Sequence, residues 1–165
     1  MIVLVFLSVL ALTAADPVAF EDCGFVYQLT QVDVQGCSSI PCHFLLGSHV
    51  NVTSRFQTTG VTQSLHDQVY FTVLLIDYPA TAIPSKACDS IQGASCPIPT
   101  GTVVNHRAEV YVNPSLIPTR AKMEWRMFNE QEKEVLCFRV SVNLDEPPYK
   151  ANVHNLETRE NVLRR

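Results

Sequence analysis

Six cysteines constrain this chain more than any other feature of its sequence. All of them follow an apolar leader at residues 1–15, which carries no charged side chain and ends in small residues, Thr13 to Ala15. This pattern is typical of a secretory signal peptide cleaved after Ala15, the alternative being a buried N-terminal strand. An even number of cysteines in an oxidising compartment predicts disulfides rather than free thiols, so we expect three of them. The six are Cys23, Cys37, Cys42, Cys88, Cys96 and Cys137.

The spacing of the cysteines favours one pairing among the fifteen that counting allows. The Cys37–Cys42 and Cys88–Cys96 pairs are close enough in sequence to close local loops. The remaining pair, Cys23–Cys137, would then tie the start of the domain to its end. A zinc site using His43 beside Cys42 is the alternative, but no second pair of ligands follows at zinc spacing. We therefore expect no metal.

The hydrophobic pattern of the remaining chain has a period of two residues, which predicts β-strands. Val69–Ile76 is apolar on both faces and predicts one central strand, whereas the polar run Asn129–Glu134 predicts a hairpin turn. Apolar and polar residues alternate at Val50–Phe56, Thr102–Val112, Met123–Met127 and Leu136–Leu144. Short strands joined by proline-containing turns predict an all-β fold, an antiparallel β-sandwich.

Composition indicates one compact domain and argues against binding to nucleic acid. The chain has 165 residues, 47% of them hydrophobic and 17% charged, with a net charge of −4. A negative net charge gives no general attraction to phosphates. We place the domain at residues 16–145, followed by a flexible polar tail at 146–165. The alternative for the end of this tail, Leu163–Arg165, is a docking or processing element.

No catalytic motif is present in the sequence, so we expect neither an enzyme nor a cofactor. Nucleophile elbows, metalloprotease motifs and glycine-rich phosphate loops are all missing. The histidines are scattered, which favours surface or turn positions over catalytic bases, although triads can assemble from distant positions. They are His43, His49, His66, His106 and His154. One motif does predict a modification, since Asn51-Val-Thr53 is an acceptor sequence for N-glycosylation at Asn51.

Two proline-stiffened segments, Tyr78–Pro84 and Val110–Pro118, carry more apolar side chains than loops usually do. Such loops would wall an apolar cavity between the sheets. They would equally plug the open end of an ordinary sandwich core. The residues alone leave both interpretations open.

Several short motifs together resemble one family of secreted proteins. In order along the chain they are Asp22-Cys-Gly24, Cys37-x4-Cys42, Cys96-Pro-Ile98, Glu124-Trp125 and Cys137-Phe138. Their order and spacing resemble the ML lipid-recognition domain over about Phe20 to Leu144. Within that family they are most similar to the Niemann-Pick type C sterol-carrier branch.

The resemblance implies an immunoglobulin-like sandwich of two antiparallel sheets with an apolar cavity between them. It also implies the disulfides Cys23–Cys137, Cys37–Cys42 and Cys88–Cys96. At the entrance Val112 matches the valine of sterol carriers, whereas Ala80, near Tyr78, replaces an aromatic residue, and Leu116 or Ile117 replaces a tyrosine. Ile83 would join the rim of this entrance. The deeper walls would come from Val50, Val52, Phe56, Val73, Trp125 and Phe138.

The same resemblance implies a function as a monomeric lipid carrier. Such a carrier binds a sterol or another single-chain lipid and passes it to a membrane or to a sterol-handling membrane protein. Its place would be the secreted fraction or the endolysosomal lumen. Because the predicted entrance is more aliphatic, a module that presents a fatty acid or other lipid to an immune or chemosensory receptor is the alternative. An enzyme or enzyme activator with a site assembled from distant residues is a further alternative.

Overall fold

The computed structural model describes residues 17–24 and 26–148 and has an all-β fold. The predicted leader at 1–15 lies outside the described residues, as do residues 149–165 of the predicted tail. The boundaries of the domain therefore stay predictions. A short 3₁₀ helix spans Ala87–Ser90. The strands are β1 (Glu21–Asp22), β2 (Gln28–Val34), β3 (Cys42–Leu45), β4 (His49–Gln57), β5 (Leu65–Val73), β6 (Ile76–Ile83), β7 (Ile91–Gln92), β8 (Val103–Tyr111), β9 (Arg120–Asn129) and β10 (Glu134–Asp145).

The strands form two sheets that share one strand, β6. Sheet A has the order β1-β10-β9-β5-β6, and β3 also pairs with β10. Sheet B has the order β6-β8-β4-β2, and β7 also pairs with β8. The first part of β6 pairs with β5 and its last part pairs with β8, so the two sheets are joined along one side. The predicted sandwich of antiparallel strands is confirmed, apart from the parallel pairing of β3 with β10.

The alternating residues of the sequence explain which side chains form the core. In β4 every second residue is buried, from Val50 to Phe56, while Asn51 and Thr53 point to the other face. The strands β5, β8 and β9 show the same alternation, although β9 also buries Glu124. The two inner faces pack on each other, and the predicted hairpin turn between β9 and β10 is present at residues 130–133.

The predicted central strand Val69–Ile76 is wrong, because the chain turns back within it. The strand β5 ends at Val73, Leu74 and Leu75 form a two-residue turn, and β6 begins at Ile76, which pairs with Val73. The turn carries neither glycine nor asparagine, so the apolar run hid it. The predicted loop Tyr78–Pro84 is also wrong, since most of it belongs to β6. Proline suggested a break there, but Pro79 lies within β6. It is opposite Tyr70 of β5, in the part of β6 that precedes the pairing with β8.

The three expected disulfides are present, namely Cys23–Cys137, Cys37–Cys42 and Cys88–Cys96. The first joins residues 114 positions apart and lies where the chain packs most closely. The backbone N–H groups of Cys23 and Gly24 both donate to the carbonyl oxygen of Cys137, at 3.0 and 3.1 Å. A Cβ atom on Gly24 would lie 2.1 Å from the backbone nitrogen of Cys137. Only glycine fits this position, which explains the Asp-Cys-Gly motif in physical terms.

The long-range disulfide should contribute more stability than a local one. In the chain-entropy model, closing a loop of this length stabilises the fold by about 5 kcal/mol, against about 2 kcal/mol for a loop as short as that of Cys37–Cys42. We expect the Cys23→Ser/Cys137→Ser variant to lose more free energy of unfolding in urea than the matched Cys37→Ser/Cys42→Ser variant. Equal losses would contradict the entropic argument for this fold.

Candidate functional site

The residues predicted to bind a ligand fall into an inner group and an outer group. The inner group is buried: Val52, Phe56, Val73, Val112, Trp125 and Phe138 are at most 2% exposed, and Val50 and Leu116 are 8% exposed. Ala80 is half-buried. The outer group, Tyr78, Ile83 and Ile117, has exposed fractions of 39%, 44% and 52%. The burial of these residues describes an exposed rim around a buried core.

Strand register brings several of the predicted residues into one row that crosses both sheets. Continuing the β6–β8 register by one residue places Val112 level with Ala80. Ala80 pairs with Val69 of β5, and Val69 pairs with Trp125 of β9. Trp125 in turn pairs with Phe138 of β10, and their rings stack with centroids 6.1 Å apart. The predicted entrance and the predicted deep wall are therefore continuous on the inner surface of the sandwich.

The side chains of this row are closely surrounded by protein. Phe56, Val112 and Phe138 are fully buried and Trp125 is 1% exposed, so they line no water-sized space. A ligand that reaches these four side chains must therefore displace contacts that they now make with other core residues.

The β5–β6 turn, together with the first residue of β6, forms an exposed apolar tip at the predicted entrance end of the sandwich. This leucine tip consists of Leu74, Leu75 and Ile76. Leu74 is 72% exposed, Leu75 is 96% exposed and Ile76 is 56% exposed. Leu74 and Leu75 have φ values of 49° and 69°, in the left-handed region that costs a residue with a side chain on the order of 1 kcal/mol. Asparagine and glycine fit such a turn far better. Leucines in this conformation at a solvent-exposed tip cost the fold stability, and such strain is often found at binding sites.

The opposite end of the sandwich is closed by packing and hydrogen bonds. Tyr27 stacks on Phe56 with centroids 5.6 Å apart, and its hydroxyl hydrogen-bonds to that of Thr62. Burial raises the pKa of Tyr27, although the hydrogen bond to Thr62 opposes this shift. The backbones of Thr62 and Ile98 exchange two hydrogen bonds at 2.8 and 3.0 Å. These contacts lie at the end of the sandwich away from the predicted entrance, which is the end that carries the leucine tip.

A buried polar cluster spans the two sheets, and sequence reasoning did not find it. Ser54 and His106 are directly paired on the inner face of sheet B, with Ser54 Oγ 3.4 Å from His106 Nδ1. His106 Nε2 lies 3.0 Å from Asp67 Oδ2 on sheet A, and Trp125 Nε1 donates to Asp67 Oδ1 at 2.8 Å. The prediction that His106 is a surface or turn residue is wrong, because it is 2% exposed.

The cluster contains the residue types of a hydrolytic triad but does not present them to solvent. Ser54 is 1% exposed, and the Oγ–Nδ1 distance of 3.4 Å is long for a hydroxyl hydrogen bond. A serine nucleophile must reach both its base and its substrate. As it stands, the cluster links the two sheets and does not expose a nucleophile.

Comparison with known proteins identifies the family. The sequence profile of the ML domain matches residues 17–144. The chain belongs to the ML-domain family. It is 30% identical to the NPC intracellular cholesterol transporter 2 of Danio rerio over 141 residues, which cover 85% of this chain and 93% of that relative. It is 23% identical to the Ecdysteroid-regulated 16 kDa protein of Manduca sexta over 138 residues, covering 81% of this chain and 92% of that protein.

A solved structure shows the same ML-domain fold. The crystal structure of a Niemann-Pick type C2 protein from Japanese carpenter ant aligns with a TM-score of 0.67 at 18% sequence identity. The alignment covers 77% of this chain and 99% of that structure. The resemblance that the motifs suggested, to the ML domain and its Niemann-Pick type C branch, is confirmed.

The Glu-Trp motif of this ML domain has one residue on each face of sheet A. Trp125 points into the core, whereas Glu124 points outward and is only 5% exposed. Two guanidinium groups, of Arg126 and Arg139, hold the Glu124 carboxylate. The hydrogen bonds of Arg139 to Glu124 and then to Glu21 raise its pKa. Glu124 therefore anchors a charged network on the outer face.

Other features of the ML domain lie outside the predicted ligand-contacting set. Surface cavities of about 200, 220 and 250 Å³ surround Ile40, and none of the side chains that line these three is in that set. Asn51 lies on the outer face of β4, where its Nδ2 donates to Gln35 Oε1 at 2.6 Å, and its glycosylation stays a prediction. Within residues 17–24 and 26–148, no helix is long and apolar enough to span a membrane, and no group of side chains is placed to hold a metal ion.

Replacing the strained leucines should stabilise the ML domain. We expect Leu74→Asn/Leu75→Gly to raise the free energy of unfolding by about 1 kcal/mol or more, because both new residues suit the positive φ angles. Urea denaturation of the two proteins measures the difference. A loss of stability would mean that the leucine side chains pack against the fold.

Proposed function

We propose that this protein is a lipid carrier that holds a sterol or another single-chain lipid between its sheets and transfers it at membranes. The observation that carries the proposal is the apolar tip of Leu74, Leu75 and Ile76 at the entrance end. The similarity of this chain to a relative named for intracellular cholesterol transport supports the same conclusion. Burial of apolar surface drives both steps, and no covalent chemistry is needed.

Uptake requires the two sheets to separate around the row from Val112 to Phe138. A lipid then replaces contacts among core side chains with contacts to itself, so part of its binding energy is spent on opening the core. A sterol of about 28 heavy atoms at roughly 0.3 kcal/mol per atom gives about 8 kcal/mol, or near-micromolar affinity. Such affinity suits a carrier, since the ligand is held in transit and still released.

Transfer uses the leucine tip as the first contact with a bilayer. Fully burying an aliphatic side chain is worth about 1.5–3 kcal/mol, so three of them give a weak and reversible attachment. Attachment at this end brings the entrance close to the lipid phase, which shortens the path of the ligand through water. Tyr78 and Ile117 are exposed and would lie on the rim beside it.

The place of action and the partner follow from this proposal. Three disulfides suit an oxidising compartment, so we place the protein in the secreted fraction or the endolysosomal lumen. A sterol-handling membrane protein or a lipid receptor is the proposed partner, and the carrier acts as a monomer.

An acyl ligand is a second candidate, favoured by the aliphatic residues at the entrance. Ala80 and Leu116 stand where sterol carriers are expected to have aromatic residues, so the entrance offers little that selects for a sterol skeleton. A protein that presents a fatty acid to a receptor would then share the fold and the site. Identifying the lipid that copurifies with the secreted protein separates the two.

Lipid uptake should fail when a charge is placed in the entrance. Native mass spectrometry of the secreted protein with cholesterol or palmitic acid should show a 1:1 complex with one of them. Leu116→Asp should lower uptake at least tenfold, because the buried carboxylate would face an apolar ligand. Val103→Asp is the matched control, since Val103 is 49% exposed at the start of β8, away from the predicted entrance, and its substitution should leave uptake intact. Unchanged uptake in Leu116→Asp would rule out this entrance, and an empty wild-type protein that refuses added lipid would refute the carrier.

The transfer of lipid between membranes should depend on the leucine tip, whereas the uptake of lipid should not. We expect Leu74→Asn/Leu75→Gly to bind cholesterol like the wild type and to move it between vesicles at least tenfold more slowly. Val61→Ser is the control, because Val61 is also an exposed aliphatic residue, 62% accessible, beside Thr62 at the closed end. Equal transfer rates for the tip variant and the wild type would exclude the tip from membrane contact.

A further inference from the structure

The polar cluster between the sheets has hydrogen-bonding capacity that the protein leaves unused. Asp67 Oδ2 and His106 Nε2 are in contact at 3.0 Å but make no hydrogen bond with each other. Within the described residues, neither atom has another hydrogen-bond partner. Both side chains are buried, with exposed fractions of 0% for Asp67 and 2% for His106. Buried polar atoms are normally satisfied, so such an exception needs a physical explanation.

The two residues offer complementary groups. The Asp67 carboxylate can only accept hydrogen bonds, so His106 is assigned the tautomer with a proton on Nε2, which donates. This assignment leaves Nδ1 of His106 as an acceptor for the hydroxyl of Ser54. The indole N–H of Trp125 already donates a hydrogen bond to Asp67 Oδ1. The cluster therefore has one free acceptor and one free donor side by side.

The pair lies on the inner surface, beyond the row from Val112 to Phe138 in the direction of the start of β5. Val69 belongs to the row that reaches Val112, and Asp67 is two residues further along the inner face of β5. At about 3.4 Å per residue, this separation is about 7 Å. Because Asp67 is on sheet A and His106 on sheet B, opening the sheets to admit a ligand pulls these two side chains apart. Each would then lose its contact with the other.

We propose that Asp67 and His106 form a buried anchor for the hydroxyl group of a neutral lipid alcohol. The hydroxyl donates its hydrogen to Asp67 Oδ2 and accepts one from His106 Nε2, so a single group satisfies both. A carboxylate has no hydrogen to donate and is repelled by Asp67, and a hydrocarbon satisfies neither residue. The ligand thus binds with its polar end inward and its apolar end toward the leucine tip. This inference rests on the proposed carrier function, since it assumes a lipid between the sheets.

The test compares ligands that differ only in the hydroxyl group. One pair is cholesterol and 5-cholestene, and the other is 1-hexadecanol and hexadecane, with palmitic acid as the charged analogue. Trp125 is the single tryptophan of the chain and touches Asp67, so its fluorescence reports binding at this place, and native mass spectrometry gives the stoichiometry. We expect the wild type to bind at least one alcohol tenfold or more tightly than its hydrocarbon and more tightly than palmitic acid.

A variant with its control assigns that preference to the anchor. Asp67→Asn keeps an acceptor for Trp125 but removes the carboxylate, so it should bind the alcohol about as weakly as the hydrocarbon and bind the hydrocarbon within twofold of the wild type. Asp89→Asn removes an exposed carboxylate from the 3₁₀ helix and should change neither affinity. If Asp67→Asn does not fold, the wild-type comparison of the two ligand pairs decides the question alone.

The outcomes separate the anchor from the carrier. Tighter binding of cholesterol than of 5-cholestene would mean that the anchor binds sterols. A preference found only for 1-hexadecanol over hexadecane would mean that it binds long-chain alcohols. Equal binding of alcohol and hydrocarbon, tighter binding of palmitic acid, or a preference that survives in Asp67→Asn would overturn the anchor and leave the carrier standing. Failure of the wild type to bind any of the five lipids would refute the carrier, and the anchor with it.

Discussion

The pairing of β6 with both sheets is the constraint on which the rest of this structure depends. Residues 76–80 continue sheet A through β5, and residues 81–83 continue sheet B through β8. This shared strand fixes the register of one sheet against the other. As a result, the register continues to place Ala80 level with Val112, and the turn that precedes β6 lies at the same end as the predicted entrance. A sandwich without such a strand would have to set this alignment by side-chain packing alone.

The turn before β6 carries residues that lower local stability, at positions whose backbone angles suit asparagine or glycine. Two leucines in left-handed conformations cost the folded state free energy and expose apolar surface to water. Such strain persists only where the surrounding structure imposes it. Here the ladder between β5 and β6 imposes it by pairing Val73 with Ile76. The hairpin therefore keeps its shape regardless of the turn residues, which leaves those residues free to serve another purpose.

Sequence reasoning predicted the fold wherever local alternation was clean. It found β4, β8, β9 and β10, because their inward and outward residues differ in polarity, and it found the β9–β10 turn because that turn is polar. It missed the β5–β6 turn because leucines there look like strand interior, and it missed β6 because Pro79 looked like a break.

The candidate site was predictable only in part, for a related reason. Buried aliphatic and aromatic residues such as Val52 and Phe138 follow from periodicity, and Val112 followed from a resemblance. The contact between Asp67 and His106 joins strands of different sheets, so no local pattern contains it. The only available signal was an aspartate at an otherwise apolar, inward position of β5.

The small strands β1 and β3 matter for what they cover. The last strand of the sandwich, β10, is twelve residues long. β1 pairs with Phe138 and Arg139, and β3 pairs with Val142–Asp145, on the side of β10 away from β9. Left bare, this long edge would offer its backbone to another unfolded or folded chain, which is how sheets begin to aggregate. Cys23 lies directly after β1 and Cys42 is the first residue of β3, so two disulfides fasten these covers in place. The same bonds that stabilise the single molecule therefore also hold in place the strands that cover this edge.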